Sequence, residues 1–483
     1  MRILFIYPNL GTGEIPLNLS YLTSILKNDG CEVKVFDTSI YSKYSQRGDS
    51  QQTSVGQFKK IQIRNDAKIV LKDTDPTRDL LTLVEDFKPE LICATSFTHN
   101  FKLGLSLLNE VKKQFDIPTI FGGVHTTLVP DSVISEQSVD MICVGEGEEM
   151  LLELSRNPGK TDIRNLWIKK DGQVIKNPLR PLVDLNTLPY QDFDGYENYN
   201  FFRPLAGKLY KSASVEVSRG CPYKCSYCVN HSFQKLYKGL GSYHRVKSIN
   251  KAIGNIVHLK NKYGIELIRF WDEDFTTLPL SYLRDFSNEY IDKVHLPFLI
   301  YARVDTITQE KVDLLQDMNC ITIAMGIESG SPRVREEVLN RNMSDEKIIN
   351  SFAMVKDAGI RCSAYNMIGL PHETREDIFK TIELNRICKP DSSSIAFLEP
   401  YPKTEIFNDC VRSGYIKEDY VATFDFFNPH ISDKLIPHNE LRGLLKTFML
   451  YVKAPKFLRP LIKLCENGND FIYKILISIF RGN

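Results

Sequence analysis

Between residues 214 and 398 the chain repeats one pattern: a short apolar run, a polar or glycine-bearing stop, and then a segment whose apolar residues recur at helical spacing. The runs fall at 214–218, 266–271, 298–303, 320–326, 361–367 and 393–398, and the helical segments near 249–263, 279–293, 308–317, 346–358 and 374–388. Parallel strands need a crossover between them, and a helix is the usual one. Six such units predict a partial (β/α)6 barrel, a fold that carries its reactive groups at the carboxyl ends of the strands. In chain order those ends are the loop around Cys221, Cys225 and Cys228, then Trp271-Asp272-Glu273-Asp274, Arg303, Gly326-Ile327-Glu328-Ser329-Gly330, Gly369-Leu370-Pro371 and Glu399-Pro400-Tyr401. Every one of them holds polar, charged or glycine residues.

Residues 1–155 alternate in the same way and predict a doubly wound, Rossmann-like parallel sheet of the α/β class. Its strands are Arg2–Tyr7, Glu32–Phe36, Leu91–Thr95, Thr119–Phe121 and Asp140–Val144. A polar stretch at 41–79 lacks a period and reads as an insertion. Sheets of this kind take ligands at their carboxyl edge, which here carries Pro8-Asn9, Asp37, Ser96, Gly122-Gly123 and Gly145-Glu146-Gly147. Gly11-Thr12-Gly13 starts a dinucleotide fingerprint, but Pro16 stands where its third glycine belongs, so nicotinamide is set aside. Residues 156–210 are a connector with a β-hairpin turning at Asp171-Gly172 and prolines at 178, 181 and 189. The barrel occupies 211–400, and 401–483 is a mainly helical C-terminal region.

The 483 residues include 61 Lys plus Arg and 60 Asp plus Glu. This balance argues against a nucleic-acid partner, which selects for a basic excess. The opening Met-Arg-Ile-Leu-Phe-Ile-Tyr reads as a first strand rather than a secretory signal. The 11 cysteines are therefore expected in a reducing, cytoplasmic setting, where clustered thiols serve metals or catalysis. Cys221, Cys225 and Cys228 form C-x3-C-x2-C. Three thiolates on one loop suit three irons of a 4Fe–4S cluster, leaving the fourth iron open. A zinc site that adds His231, three residues beyond Cys228, is the alternative. The other eight cysteines (31, 93, 143, 320, 362, 388, 410, 465) read as small core residues.

On these residues the chain resembles the cobalamin-dependent radical S-adenosylmethionine (SAM) enzymes. The cysteine motif, with Tyr227 before its last cysteine, is that superfamily's signature. The order Ser96, Gly122-Gly123-Val124-His125, Gly145-Glu146-Gly147-Glu148 is similar to its cobalamin-binding domain. The resemblance implies that Cys221, Cys225 and Cys228 hold the cluster that cleaves SAM. It implies SAM contacts from Tyr227, Trp271, Asp272, Glu273, Arg303, Glu328, Ser329, Gly369 and Pro371. It implies cobalamin contacts from Thr95, Ser96, Gly122, Gly123, His125, Gly145 and Glu146. The D-x-H-x-x-G motif that gives cobalt a histidine is missing after the first strand, and the usual Gly-Gly-Glu form is absent at 271–273. Each SAM residue also has a plain structural alternative: the acids at 272–274 as helix caps, Arg303 paired with Asp305 or Asp272, and Gly369-Leu370-Pro371 as a turn. The implied activity is methyl transfer to an unactivated carbon through a 5′-deoxyadenosyl radical, with an external flavodoxin or ferredoxin as electron donor. The alternatives are a non-methylating outcome (cyclisation, oxidation or rearrangement) and a non-catalytic corrinoid or iron–sulfur sensor. A methylthiolating enzyme is disfavoured because Cys31, Cys93 and Cys143 are dispersed.

The tail is basic: Lys446 to Asn483 holds seven Lys/Arg and two acids. A helical cap over the barrel mouth is one expectation. A peripheral membrane contact through 446–483, with a small-molecule or lipid-like substrate, is the other.

Overall fold

The computed structural model describes residues 1–10, 14–45, 67, 70–423, 425 and 427–480. Gly11-Thr12-Gly13 and most of 41–69 lie outside the described residues. The described chain forms two compact units. One holds the residues up to Ser214 together with Gln234–Ile265, and the other holds Val215–Phe233 and the residues from Glu266 onward. The helix Ile249–Tyr263, expected as the first barrel helix, thus belongs to the first unit.

In the first unit β1 (Arg2–Tyr7), β2 (Glu32–Asp37), β3 (Leu91–Thr95), β4 (Thr119–Gly122) and β5 (Met141–Cys143) are parallel. They are followed at the edge by β6 (Leu166–Lys170) and β7 (Gln173–Lys176), in the order β2-β1-β3-β4-β5-β6-β7. The hairpin that reads as connector is antiparallel to β5, with Met141 opposite Ile168 and Cys143 opposite Leu166. Strand β1 is apolar from Ile3 to Tyr7 because both its faces are covered there. Leu4 and Ile6 join Val84, Leu107 and Val111 on one side, and Ile3, Phe5 and Tyr7 join Leu19, Leu26, Leu151 and Leu154 on the other. The chain order reverses about β1, which lies between β2 and β3. The crevice at such a switch point is where an open α/β sheet receives ligands.

In the second unit Leu267–Phe270, Phe298–Arg303, Cys320–Glu328, Arg361–Ile368 and Ser392–Phe397 run parallel as a curled half-barrel. Lys208–Val215 leads the chain into it, and the Trp271 N–H donates to Val215 O at 2.8 Å. Alternation sorts the side chains. Ile300, Ile323, Met325, Ile327 and Ile368 are fully buried toward the helices, while Arg269, Tyr301, Glu328 and Tyr365 take the opposite positions. The third of these strands slips register between Gly326 and Glu328, and Glu328 sits at φ 62°. That conformation strains any residue with a Cβ, so surrounding contacts must hold it.

The C-terminal region is mainly helical, as expected; its first segment meets the cysteine loop, where the Ile406 N–H donates to Ser226 O at 3.0 Å, whereas the basic tail packs elsewhere. Helix His438–Lys453 packs on Arg375–Cys388 and on the outward residues Ile395 and Phe397 of the last strand. Among the described residues no further βα unit follows that strand, and this helix covers its apolar outer face. Arg459–Glu466 and Asp470–Phe480 pack on His438–Lys453 in turn.

Candidate active site

The cysteine loop is pinned by the acids at the next strand end. The buried Asp272 carboxylate accepts the Val217 and Ser218 N–H groups and the Ser218 hydroxyl. Burial raises its pKa to about 6 despite those bonds. Glu273 accepts the Gly220 N–H at 3.2 Å and is exposed at the surface, while desolvation by the protein around it lifts it to about 7. Asp274 caps the turn Phe275–Thr277 through the Thr276 N–H and hydroxyl. The capping alternative therefore describes Asp274, and Asp272 is spent on the loop backbone. Glu273 is the exposed acid of the three.

Cys225 is buried, and Cys221 and Cys228 are half-buried. Arg303 donates from Nη1 to Cys225 Sγ at 3.1 Å. Its other edge is fixed by the Asp305 carboxylate at 3.0 and 2.9 Å, and the Tyr223 ring lies 3.7 Å from its guanidinium. Arg341 Nη1 is 3.9 Å from the same sulfur, and Asn230 Nδ2 is 3.6 Å from Cys228 Sγ. Burial pushes the Cys221 thiol up to about 12 and raises Cys228. Holding these sulfurs as thiolates therefore requires positive charge beside them. Among the described residues no three His, Cys, Asp or Glu side chains meet at a point that one metal ion could share. A zinc ion needs such convergence at ~2.3 Å from each sulfur. A cubane takes one cysteine per iron, so three thiols on one loop suffice for three irons.

Around this loop Tyr227 donates to Glu328 Oε1 at 3.2 Å, Arg341 Nη1 lies 3.0 Å from the Tyr227 hydroxyl, and Arg341 Nη2 donates to Gly326 O at 2.9 Å. Arg341 and Glu328 form a buried ion pair at 3.8 Å. Ser329 is not brought to the cleft: it is fully buried, and its Oγ accepts the Ser331 N–H. Gly369 adopts φ 68°, and a Cβ there would meet Phe397 Cδ1 at 3.2 Å. The turn through Pro371 is held by Glu373, which accepts the Leu370 N–H at 3.1 Å and is pushed by burial to about 8. Trp271 is partly exposed, its ring 5.1 Å from Tyr301. Sequence reasoning missed Arg341, Tyr223 and Glu373. Only Tyr223, inside the cysteine motif, and Glu373, two residues past Pro371, carry a local signal.

In the first unit Gly123 takes φ 99°, and a Cβ would lie 2.6 Å from Ser96 O and 2.8 Å from both Ser96 N and Thr95 Oγ1. Only glycine allows the β3 and β4 ends to approach so closely. Gly122 ends β4 beside it, and Thr95 accepts from Asn18 Nδ2 at 3.1 Å. The Ser96 hydroxyl is buried with no hydrogen-bond partner among the described residues. Such an orphan is costly unless a bound molecule satisfies it, and this supports a ligand with a polar tail at this edge. His125 is committed elsewhere. Its ring lies 4.4 Å from that of Phe101, its Nδ1 is 3.2 Å from Thr98 Oγ1, and burial lowers it to about 4. Glu146 is likewise taken: Arg245 clamps its carboxylate at 2.6 and 3.0 Å, and the Val183 N–H adds a bond at 2.9 Å. Gly145, at φ 93°, lies against the Tyr237 hydroxyl, which accepts the Glu146 N–H at 2.9 Å.

Residues 215–384 match the family model described as Radical SAM superfamily, and 56–155 match the B12 binding domain. The chain is 24% identical to the uncharacterized methyltransferase PH0819 of Pyrococcus horikoshii, over 98% of this chain and 96% of that protein. It is 25% identical to the anaerobic magnesium-protoporphyrin IX monomethyl ester cyclase of Rubrivivax gelatinosus, covering 88% and 72%. It is 22% identical to the cytidylyl-2-hydroxyethylphosphonate methyltransferase of Streptomyces wedmorensis, covering 83% and 78%. Its fold is similar to that of the radical SAM methyltransferase TsrM from Kitasatospora setae (TM-score 0.66, 17% identity, covering 85% and 76%). It is also similar to that of OxsB, solved with aqua-cobalamin and S-adenosylmethionine bound (TM-score 0.68, 15% identity, covering 98% and 72%).

Proposed function

The chain belongs to the cobalamin-dependent radical SAM enzymes, and from that premise we propose that it transfers a methyl group to an unactivated carbon of a small-molecule substrate. The observation that carries this reading is the likeness along nearly the whole chain to a protein named a methyltransferase. When bound, the 4Fe–4S cluster with SAM supplies a carbon-centred radical for hydrogen abstraction, and cobalamin supplies the methyl carrier.

The chain's own residues serve that chemistry by placement. Cys221, Cys225 and Cys228 hold three irons. Arg303, aimed by Asp305 and Tyr223, sets a fixed positive charge against Cys225. Glu273, the exposed acid of its strand end, would accept the SAM ammonium, and the strained Glu328 end with Gly369 and Pro371 would frame the nucleoside. Trp271 and Tyr227 wall the cleft. Ser96, Gly122 and Gly123 receive the cobalamin tail, Thr95 supports them, and His125, Gly145 and Glu146 shape the edge from behind. The chain has no D-x-H-x-x-G histidine after its first strand to offer the cobalt. An external one-electron reductant of flavodoxin or ferredoxin type completes the proposal.

The test is anaerobic turnover of reconstituted protein with trideuteromethyl-SAM, methylcobalamin, a reductant and candidate substrates. A product heavier by one labelled methyl group, formed together with 5′-deoxyadenosine, is expected. Deoxyadenosine with an unmethylated, cyclised or oxidised product would replace methyl transfer by the other outcome. The resemblance to a cyclase over 88% of this chain gives that second reading its weight.

A further inference from the structure

The last two helices turn apolar residues outward. In Arg459–Glu466 the buried positions are Ile462 and Cys465, which pack toward His438–Lys453, while Leu461 and Leu464 are exposed. In Asp470–Phe480 Tyr473 and Leu476 are buried, while Phe471, Ile475 and Ile479 are exposed, Phe471 by 75% and Ile479 by 64%. Residues 471, 475 and 479 recur every four positions and so share one face. Phe457, just before the first of these helices, is 79% exposed. A helix packed on a protein surface ordinarily turns its polar side to water. Here the inner and the outer faces are both apolar.

The charge around this face is basic on balance. Residues 456–480 carry four Lys/Arg against Glu466 and Asp470, a net of +2. Glu466 is buried and held by Arg375 and Lys463, so Asp470, paired with Lys446, is the exposed acid of the segment. Lys456 and Arg459 meet Glu383, Lys463 meets Glu466, and Lys474 is exposed. No helix among the described residues is long and apolar enough to cross a membrane. Eleven residues span only ~16 Å, about half of the ~30 Å hydrocarbon core.

We propose that the outward face of 456–480 docks on an anionic lipid surface, with Phe457, Leu461, Phe471, Ile475 and Ile479 entering the headgroup layer and the lysines meeting lipid phosphates. An apolar face fringed by cations is the pattern of an interfacial helix. A second copy of the chain fits less well, because it would press two faces of net positive charge together. The inference goes beyond the methyl-transfer reading and is read without substrate or turnover, so either can fail alone.

The experiment is flotation of the full chain with phosphatidylcholine vesicles, with and without phosphatidylglycerol, and light scattering on the same protein. The protein is expected to float with the anionic vesicles and to scatter as a monomer. Raised salt should weaken the binding. Phe471→Asp/Ile475→Asp/Ile479→Asp should lower partitioning by ~10-fold or more, and Lys474→Glu should weaken binding to the anionic vesicles only. Phe457→Asp/Leu461→Asp gives an independent variant on the neighbouring segment. All these positions are exposed, so melting should stay at the wild-type temperature. Absence of vesicle binding, equal binding by both apolar variants, or a dimer that these substitutions split would overturn the proposal.

Discussion

Arg341 is the residue with most at stake in the second unit. It is buried, pairs with Glu328, donates to Gly326 O, and lies beside Tyr227 and Cys225. Arg341→Leu strands the Glu328 carboxylate in the interior, and removing one member of a buried pair costs about 3–5 kcal/mol. A chemical-denaturation midpoint well below wild type is expected, with Arg341→Lys intermediate because a point charge replaces a fork. Gly123 makes the matching prediction in the first unit. Gly123→Ala places a methyl group 2.6 Å from Ser96 O at a φ of 99°, so it should lower cobalamin retention, read by visible absorption, while leaving the iron content unchanged. Gly123 is visible in the sequence, because a glycine pair at a strand end announces close approach. Arg341 is not, because its sulfur partner lies 116 positions away and no local pattern links them.

At the scale of elements, strands and helices were legible wherever burial imposes a period. The five parallel strands of each sheet fall within a few residues of their apolar runs. The placement of the β6–β7 hairpin was not legible: Asp171-Gly172 announces a turn, but pairing with β5 depends on a free sheet edge that only the assembled unit supplies. The tail's packing on the last strand was hidden for the same reason. The turn Gly369-Leu370-Pro371 with Glu373 yields a pH prediction. Burial raises the Glu373 carboxyl from 4.5 to about 8, so between those values the folded state holds a proton that the unfolded state lacks. Its contribution to stability is complete below the lower value and is lost as pH rises through the upper one. Glu373→Gln keeps an acceptor for the Leu370 N–H without the ionisation. It should flatten the fall in melting temperature toward pH 8, a gain on the order of 1–3 kcal/mol there.

At the scale of the molecule, one chain combines a sheet whose switch point is built for a ligand tail with a half-barrel whose first strand runs into a three-cysteine loop. The cysteine arithmetic made half of this plain. The orphaned Ser96 hydroxyl and the clamped Glu146 are the basis for proposing that the first meets cobalamin and the second only shapes the edge, a distinction that depends on partners distant in sequence. The central claim is that this chain holds both cofactors, each at its own set of residues. Anaerobic purification with cobalamin, followed by iron and cobalt counts on wild type and on Cys221→Ala/Cys225→Ala/Cys228→Ala, tests it directly. Wild type should hold about four irons and one cobalamin per chain, and the triple variant should lose its iron but keep its cobalamin. Iron retained in the triple variant, or wild-type protein that binds no cobalamin, would contradict the account.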